Sequence, residues 1–376
     1  MVKKVITSES VTEGHPDKIC DQVSDAILDA ALSQDIYSRV AIDCLVKNNT
    51  LVISGEVTSK AHLNYYTIAK DVINEIGYED RDGFSANGEI RVIISKQSSD
   101  INQGVSKEDQ GAGDQGLMYG YASNETEELM PLPITLAHKL TKRLTDVRKD
   151  NILKYLRPDG KSQVSVVYED GRPLYLDTVV ISSHHEDNVS QEKIRGDVIE
   201  NVINPICGKW LNDETKFFVN ATGRFVYGGP IADSGLTGRK IIVDSYGGVG
   251  RHGGGAFSGK DPSKVDRSAA YAARWVAKHV VAASLADRCE IQIAYCIGVA
   301  RPVSVHVDCF NTNKILEEKI EDAISKTFDL RPAIIVRELK LLNPIYKKTA
   351  AYGHFGRDEF PWEQVIKLDE LKNNVY

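Results

Sequence analysis

The spacing of apolar residues predicts helices and strands in alternating groups along the chain. Residues 16–32 place Ile19, Val23 and Ile27 at helical spacing, with Pro16 in the first turn. Further helices are predicted at 61–76, 131–149, 190–204, 262–286 and 313–327. Strands are predicted at 39–46, 50–57, 89–95, 163–169, 174–182, 216–228, 240–244, 290–297 and 303–310. Because strands come in adjacent pairs between helices, the pattern predicts an α+β fold in layers rather than a doubly wound parallel sheet.

One segment, 98–113, is polar and contains glycine without any apolar period. It fits either a linker between domains or a lid over a site. The length of 376 residues predicts two or three domains. We therefore expect an N-terminal domain at 1–99, a lid at 100–113, a central domain at 114–229 and a C-terminal domain at 230–376.

Composition narrows the class of protein. No apolar run approaches the ~18 residues that a membrane helix needs, so no membrane association is expected. Most nucleic-acid-binding domains carry an excess of basic residues, whereas this chain has a net charge of −7. No nucleic-acid partner is therefore expected. The six cysteines form no Cys-x-x-Cys pair, and no apolar segment follows the first lysines as it would in a secretory signal. A cytoplasmic protein is expected.

Positive charge is concentrated in one stretch of this acidic chain. From Arg239 to Arg274 there are seven Lys or Arg residues and three acidic residues, a local charge of +4. Such a stretch fits either a solvated face or an anion-binding site.

The same stretch contains a glycine-rich loop with two near-matches to phosphate motifs. Gly248, Gly250 and Gly253 satisfy G-x-G-x-x-G, but no helical pattern opens directly after them. Residues 254–260 satisfy G-x-x-x-x-G-K, but Asp261 stands where a P-loop has the Ser or Thr that ligates Mg²⁺. Both motifs therefore lack the structural context that their function needs.

Three groups of residues remain as candidate chemistry. Lys260 and Lys264 flank the predicted start of a helix, with Asp266 nearby as either an ion-pair partner or a Mg²⁺ ligand. The segment Glu13-Gly-His-Pro-Asp-Lys18 places a donor, a carboxylate and a cation at another helix N-terminus, which favours anions. The segment 111–116, Gly-Ala-Gly-Asp-Gln-Gly, surrounds Asp114 with glycines and favours a tight ligand contact.

With these motifs together, the sequence closely resembles the S-adenosylmethionine synthetase (methionine adenosyltransferase) family. Two long family motifs are present whole, at 111–121 (GAGDQGLMYGY) and 253–261 (GGGAFSGKD). Shorter matches occur in family order at 8–18, 100–105, 222–225, 235–240 and 353–357. The resemblance implies three similar α/β-layered domains with pseudo-threefold symmetry. It also implies a homodimer with active sites at the interface, commonly paired into a tetramer.

The resemblance further implies that ATP, L-methionine and water give S-adenosylmethionine, phosphate and pyrophosphate. His15 would lie near the breaking C5′–O bond, and Asp17 and Asp266 would each carry one of two Mg²⁺ ions. The implied catalytic residues are His15, Lys161, Arg239, Lys260 and Asp114. The implied ATP-binding residues are His15, Asp159, Lys161, Arg224, Phe225, Asp233, Arg239, Lys240, Ala256 and Lys260. The implied methionine-binding residues are Glu56, Gln97, Asp114, Asp233 and Lys264.

One position departs from the family pattern. Asp43 stands where the family usually has a Glu that ligates K⁺, and Asp is one methylene shorter. Activation by K⁺ is therefore expected to be weaker or differently arranged. Two other functions remain as alternatives: a phosphotransferase or ATPase that uses the Lys260 loop for γ-phosphate transfer, and a nucleotide-binding subunit without catalysis.

Overall fold

A computed structural model describes residues 3–96 and 111–375 of the chain. The strands are β1 Lys3–Val11, β2 Arg39–Lys47, β3 Thr50–Thr58, β4 Glu89–Ser95, β5 Gly116–Ser123, β6 Leu156–Glu169, β7 Arg172–His185, β8 Lys216–Val219, β9 Gly235–Leu236, β10 Arg288–Tyr295 and β11 Ser304–Asp308. The helices are α1 Pro16–Leu32, α2 Tyr65–Ile76, α3 Leu132–Lys149, α4 Gln191–Val198, α5 Asn204–Cys207, α6 Gly229–Ala232, α7 Ile241–Asp244, α8 Val265–Ala282, α9 Glu317–Thr327, α10 Pro332–Glu338 and α11 Leu368–Val375. A π-helical stretch, Ile199–Ile203, joins α4 to α5.

The described strands form three separate sheets packed against helices. Their strand orders are β1-β6-β7-β8, β4-β3-β2-β9 and β11-β10-β5. Neighbouring strands are antiparallel except for the pairs β3–β4 and β7–β8. The predicted α+β class is thus confirmed, whereas the pseudo-threefold relation between the domains stays a prediction.

The sheets join strands from the three domains expected from the sequence. β1 pairs with β6, so that Val11 lies opposite Lys161. β5 pairs with β10, and β9 pairs with β2. Each sheet therefore combines strands that are distant in the chain, and the segment boundaries stay a prediction. The expected lid lies almost entirely outside the described residues.

Two hydrophobic cores hold these layers together. The larger one lies between α1, α2 and α8 and the sheets that contain β2 and β10. Its pattern is regular on β2, where Val40, Ile42, Cys44 and Val46 point inward at alternate positions. The smaller core lies between α3, α4 and the sheet of β6 and β7. No helix in the described ranges is long and apolar enough to cross a membrane.

Several predicted boundaries are wrong. Residues 240–244 are predicted as a strand, but Ile241–Asp244 form the short helix α7. The backbone N–H of Asp244 donates to Lys240 O at 2.8 Å, and the Asp244 carboxylate is buried against Lys18. The strand predicted at 216–228 ends at Val219, since Asn220 and Gly223 turn the chain through the left-handed region. The helix predicted from 313 starts at Glu317.

The strand pattern also missed β1 and β5, together with the two-residue strand β9. β1 is rich in Lys, Ser and Glu, and β5 lies inside the glycine motif, so neither shows a clear apolar alternation. β1 and β5 are fixed by their partners in the sheets, β6 and β10, rather than by local pattern.

Candidate active site

His15, which is 2% exposed, directly precedes the first residue of α1. Its backbone is extended, and Pro16 follows as the first helical residue. The Nδ1 atom accepts a hydrogen bond from Asp17 N at 3.2 Å, so His15 caps the helix.

This environment decides the charge of the histidine. Burial, followed by the nearby cations Lys240 and Lys161, lowers the pKa of His15 to about 2, against the opposing effect of Asp233. The ring is therefore neutral at physiological pH. Since Nδ1 accepts from a backbone N–H, the ring hydrogen resides on Nε2. His15 thus presents an uncharged hydrogen-bond donor.

Two cations meet at the carboxylate of Asp17, which is fully buried. Lys240 Nζ lies 2.5 Å from Oδ2, and Arg239 Nε lies 3.4 Å from Oδ1. Asp17 also accepts Leu236 N at 3.0 Å, which fixes the loop that carries both cations.

Strand β6 brings two more predicted residues to this position. Lys161 is exposed on β6 and acts electrostatically on both His15 and Asp159. Asp159 is buried, and this burial raises its pKa to about 6, although Gly229 N donates to it at 2.8 Å. Asp233 is exposed and also acts on both His15 and Asp159. We call this group the His15 cluster; its members are His15, Asp17, Asp159, Lys161, Asp233, Arg239 and Lys240.

A second group surrounds Lys260 in the glycine-rich loop. Lys260 Nζ lies 2.5 Å from Asp266 Oδ2. Lys260 forms an isolated antiparallel bridge with Ala41 of β2. Two residues further along β2, burial raises the pKa of Asp43, and the positive charge of Lys260 partly offsets this rise. Glu56 is exposed directly opposite Ala41 on β3.

Glycine is required where this loop approaches its neighbours. A Cβ atom on Gly255 would lie 2.4 Å from Asp266 Cγ, and one on Gly259 would lie 1.9 Å from Ile42 O. Gly259 also has φ +81°, which side chains rarely adopt.

The remaining lysine of this loop already has a strong partner. Lys264 Nζ bonds Asp261, a fully buried carboxylate that also accepts Val40 N at 2.7 Å and Ser263 N at 2.9 Å. Although burial raises the pKa of Asp261, these partners, with Lys264 foremost, hold it below its usual value. We call this second group the Lys260 cluster; its members are Asp43, Glu56, Lys260, Asp261, Lys264 and Asp266.

The chain on both sides of Asp114 approaches the Lys260 cluster, since a Cβ on Gly113 would lie 3.3 Å from Ser263 O. A Cβ on Gly116, two residues after Asp114, would lie 3.9 Å from Asp266 Oδ1. Asp114 itself is exposed and accepts Gln115 N at 2.7 Å. Ala256 of the glycine-rich loop lies close to the loop that carries Arg239 and Lys240. A Cβ on Gly238, the residue before Arg239, would lie 2.5 Å from Ala256 Cβ.

Arg224 and Phe225 lie at the end of the β7–β8 sheet. Arg224 is exposed and pairs with Asp187, with Nε 2.7 Å from Oδ1. The ring of Phe225 stacks on His184, with centroids 5.5 Å apart. Gln97 lies outside the described residues.

The structural context of a P-loop is lacking. The residues before the glycines form the helix α7 instead of a strand, and α8 begins only at Val265, four residues after Asp261. Neither glycine motif is followed directly by a helix, so, as expected, neither is a phosphate-binding loop of the known kinds. The element before the glycines is the helix α7 rather than the predicted strand.

The sequence reasoning missed the acidic face of α1. Asp21 and Asp25 are fully buried and accept backbone N–H groups of the loops that carry the cations. The signal was available, because Asp17, Asp21, Asp25 and Asp29 are spaced by four residues.

Comparison with known proteins covers nearly the whole chain. The models for the N-terminal, central and C-terminal domains of S-adenosylmethionine synthetase match residues 3–99, 109–225 and 227–364. The S-adenosylmethionine synthases of Clostridium tetani and Clostridium botulinum are each 54% identical over 391 residues, covering 100% of both chains. That of Roseiflexus castenholzii is 57% identical over 387 residues, covering 97% of this chain and 96% of the relative. The chain is therefore an enzyme of the S-adenosylmethionine synthetase family.

Proposed function

We propose that this protein forms S-adenosylmethionine from ATP and L-methionine by in-line attack of the methionine sulfur on C5′ of ATP. The triphosphate released is then hydrolysed to phosphate and pyrophosphate. The observation that carries the proposal is a neutral, buried His15 that keeps a hydrogen-bond donor among the cations of the His15 cluster.

The nucleophile and leaving group explain why these side chains suit the reaction. A thioether sulfur has no proton to lose, so its attack needs no general base. The departing triphosphate gains negative charge, and fixed donors and cations stabilise such charge most effectively. Nε2–H of His15 donates to the leaving oxygen, while Lys161, Arg239, Lys240 and Lys260 hold the phosphates.

Two carboxylates fit Mg²⁺. Asp17 and Asp266 each offer hard oxygen atoms next to a lysine, Lys240 and Lys260 respectively. Within the described ranges no group of three or more His, Cys, Asp or Glu side chains could hold a metal ion. This suits Mg²⁺, which commonly binds one or two carboxylates together with substrate phosphates and water. When bound, Mg²⁺ neutralises charge on the polyphosphate.

We propose Asp43 as the K⁺ ligand. Its carboxylate is raised in pKa by burial and lies near Lys260, so a bound K⁺ would adjust the position of that lysine. Omitting K⁺ from the assay should slow wild-type turnover, and Asp43→Asn should remove the response. Equal K⁺ dependence in both proteins would exclude Asp43.

The nucleoside is assigned to the end of β6 and the Phe225 loop. Adenine would stack on the Phe225 face opposite His184, with Arg224 at its edge and Asp159 and Asp233 accepting from the nucleoside. Ala256 would border the phosphates from the Lys260 loop.

Methionine is assigned to the Lys260 cluster, with Asp233 contributing from the other side. Lys264 would share its ammonium between Asp261 and the methionine carboxylate. Glu56 and Gln97 would complete the amino-acid site, and exposed Asp114 would balance the sulfonium.

We further propose a homodimer, paired into a tetramer, with each active site built from two subunits. Large apolar side chains are exposed on all three sheets, including Val5, Leu45, Ile93 and Leu117 at 43–65%. A partner that covers these faces would bring the His15 cluster of one subunit to the Lys260 cluster of the other.

A mixing experiment tests the shared site. His15→Ala and Lys260→Ala should each be nearly inactive alone. In a mixed dimer, one site contains both substitutions and the other contains neither, so co-refolded protein should regain activity. No recovery, with mixed dimers demonstrated by differential tags, would place both clusters of a site in the same chain.

The product assay tests the function itself. ATP with labelled adenosine, Mg²⁺, K⁺ and methionine should yield labelled S-adenosylmethionine and no ADP. Formation of ADP without a sulfonium product would support a phosphotransferase or ATPase. ATP binding without turnover would support a binding subunit. Either result would overturn the proposal.

A further inference from the structure

Four aspartates form a stripe along α1, and each accepts backbone N–H groups from another part of the chain. Asp17 accepts Leu236 N at 3.0 Å, and Asp21 accepts Gly238 N at 2.8 Å. Asp25 accepts Gly259 N at 2.9 Å. Asp29 accepts the N–H groups of residues 346 and 347, each at 2.9 Å. We call these four residues the aspartate ladder.

The ladder is unfavourable as a helix feature alone. Like charges four residues apart repel, and buried carboxylates lose their hydration. The chain compensates with buried cations. Lys18 Nζ lies 2.9 Å from Asp21 and also bonds Asp244, and Arg267 binds Asp25 with two bonds of 2.6 and 2.8 Å.

The loops attached to the ladder carry the cations of both clusters. Gly238 directly precedes Arg239 and Lys240, and Gly259 directly precedes Lys260. Consecutive rungs are four residues apart, a rise of about 6 Å along the helix. The ladder therefore fixes the position of each cationic loop along the axis of α1.

We propose that Asp21 and Asp25 are positioning residues, which hold the Arg239–Lys240 loop and the Lys260 loop in the geometry that binds polyphosphate. This inference rests on the proposed function, and neither residue is assigned contact with the substrate. Asp29 differs, because residues 346 and 347 carry no proposed catalytic group. The ladder thus supplies its own control.

The test compares Asp21→Ala with Asp29→Ala. Each variant loses a carboxylate that accepts backbone N–H groups, and in Asp21→Ala the ammonium of Lys18 keeps Asp244 as its partner. Each should lower the melting temperature. At a temperature where both are folded, Asp21→Ala should lower kcat and tripolyphosphate affinity by about 10-fold or more, because small misplacements of positioning groups are costly. Asp29→Ala should stay within about twofold of wild type in both measurements.

A second pair covers the case in which an alanine variant does not fold. Asp21→Asn and Asp29→Asn are isosteric and keep one acceptor oxygen. Asp21→Asn should still weaken tripolyphosphate binding severalfold, whereas Asp29→Asn should not. Equal effects in the two variants, or wild-type kcat and affinity in the Asp21 variant, would overturn the inference.

The two measurements separate this inference from the proposed function. Calorimetric binding of tripolyphosphate reports the position of the cations whether or not S-adenosylmethionine is formed. A wild-type protein that forms no sulfonium product contradicts the function. A functional wild type whose Asp21 and Asp29 variants behave alike contradicts only the positioning role.

Discussion

The cations between Arg239 and Arg274 fall into two kinds that the sequence does not distinguish. The side chains of Arg267 and Arg274 are 0% exposed, whereas those of Lys260 and Arg239 are 30% and 44% exposed. Arg274 is bound on every side: Nε and Nη2 contact Glu363, and Nη1 and Nη2 donate to backbone carbonyls of residues 121, 128 and 129.

The difference shows that pairing decides what a cation can do. A guanidinium whose donors are all used by the protein cannot bind a phosphate without breaking the fold. Among the residues that the structure describes, Lys260 has one carboxylate partner, Asp266, and a lysine ammonium has three donors, so donors remain for a ligand. The +4 stretch is therefore partly scaffold and partly site, and substitutions should separate the two.

The largest expected effect is on stability. Arg274→Ala removes the donor of three backbone carbonyls and leaves buried Glu363 with Lys278 as its remaining cation. The free energy of unfolding should therefore fall by about 3–5 kcal/mol. Denaturant titration measures it. A loss below about 1 kcal/mol would mean that Arg274 is no more structural than a surface residue.

Lys260→Ala should show the opposite behaviour. Adenosyl transfer should slow by ~100-fold or more, since contacts to developing oxyanions are worth about 3–4 kcal/mol. The melting temperature should change little, because the side chain is partly exposed. Rapid-quench measurement of S-adenosylmethionine formation tests this, with Lys260→Arg as the charge-retaining control. A near-normal rate of adenosyl transfer in Lys260→Ala would show that the Lys260 loop is a solvated surface and does not bind phosphate.

Asp159 belongs to the proposed site but is buried like the structural cations Arg267 and Arg274. It therefore tests whether burial alone makes a charged residue structural. Its raised pKa of about 6 means that the ionised carboxylate destabilises the folded protein as pH rises from about 4 to above 6. Asp159→Asn should therefore gain stability relative to wild type over this range, by up to about 2–3 kcal/mol, while losing nucleotide affinity. Melting curves at pH 4 and pH 8 test the sign. A difference independent of pH would contradict it.

The smallest expected effect concerns an exposed pair that belongs to neither kind. Lys326 and Asp322 lie at i,i+4 on α9 with both side chains more than half exposed. Lys326→Ala should change the free energy of unfolding by less than about 0.5 kcal/mol and leave turnover unchanged. Denaturant titration and the product assay provide the baseline for the other variants.

Local pattern predicted the regular elements well. α1 covers the predicted residues 16–32, because its apolar spacing, Pro16 and capping residue all agree. The pairs of strands after it also appear where expected. Pattern failed at α7, where a run of β-branched residues is overruled by the buried contact of Asp244 with Lys18.

The site could be predicted as a set of residue types, but not as a set of contacts. The motifs led to His15, Asp17, Lys260 and Asp266, which lie in two clusters. The sequence did not show that Lys264 bonds buried Asp261, because that contact depends on how the loop folds against β2. The roles implied by family resemblance remain predictions for experiment.

The pairing of β1 with β6 has a consequence for biosynthesis. Val11 meets Lys161, which is made 150 residues later, so at 5–20 residues per second β1 waits about 8–30 s on the ribosome for its partner. An unpaired strand is a template for aggregation, and charged residues suppress such contacts. Lys3, Lys4 and Glu9, which obscured the strand pattern, can thus protect the nascent chain. A fragment that ends at residue 99 should emerge as an incomplete folding unit with β1 still unpaired.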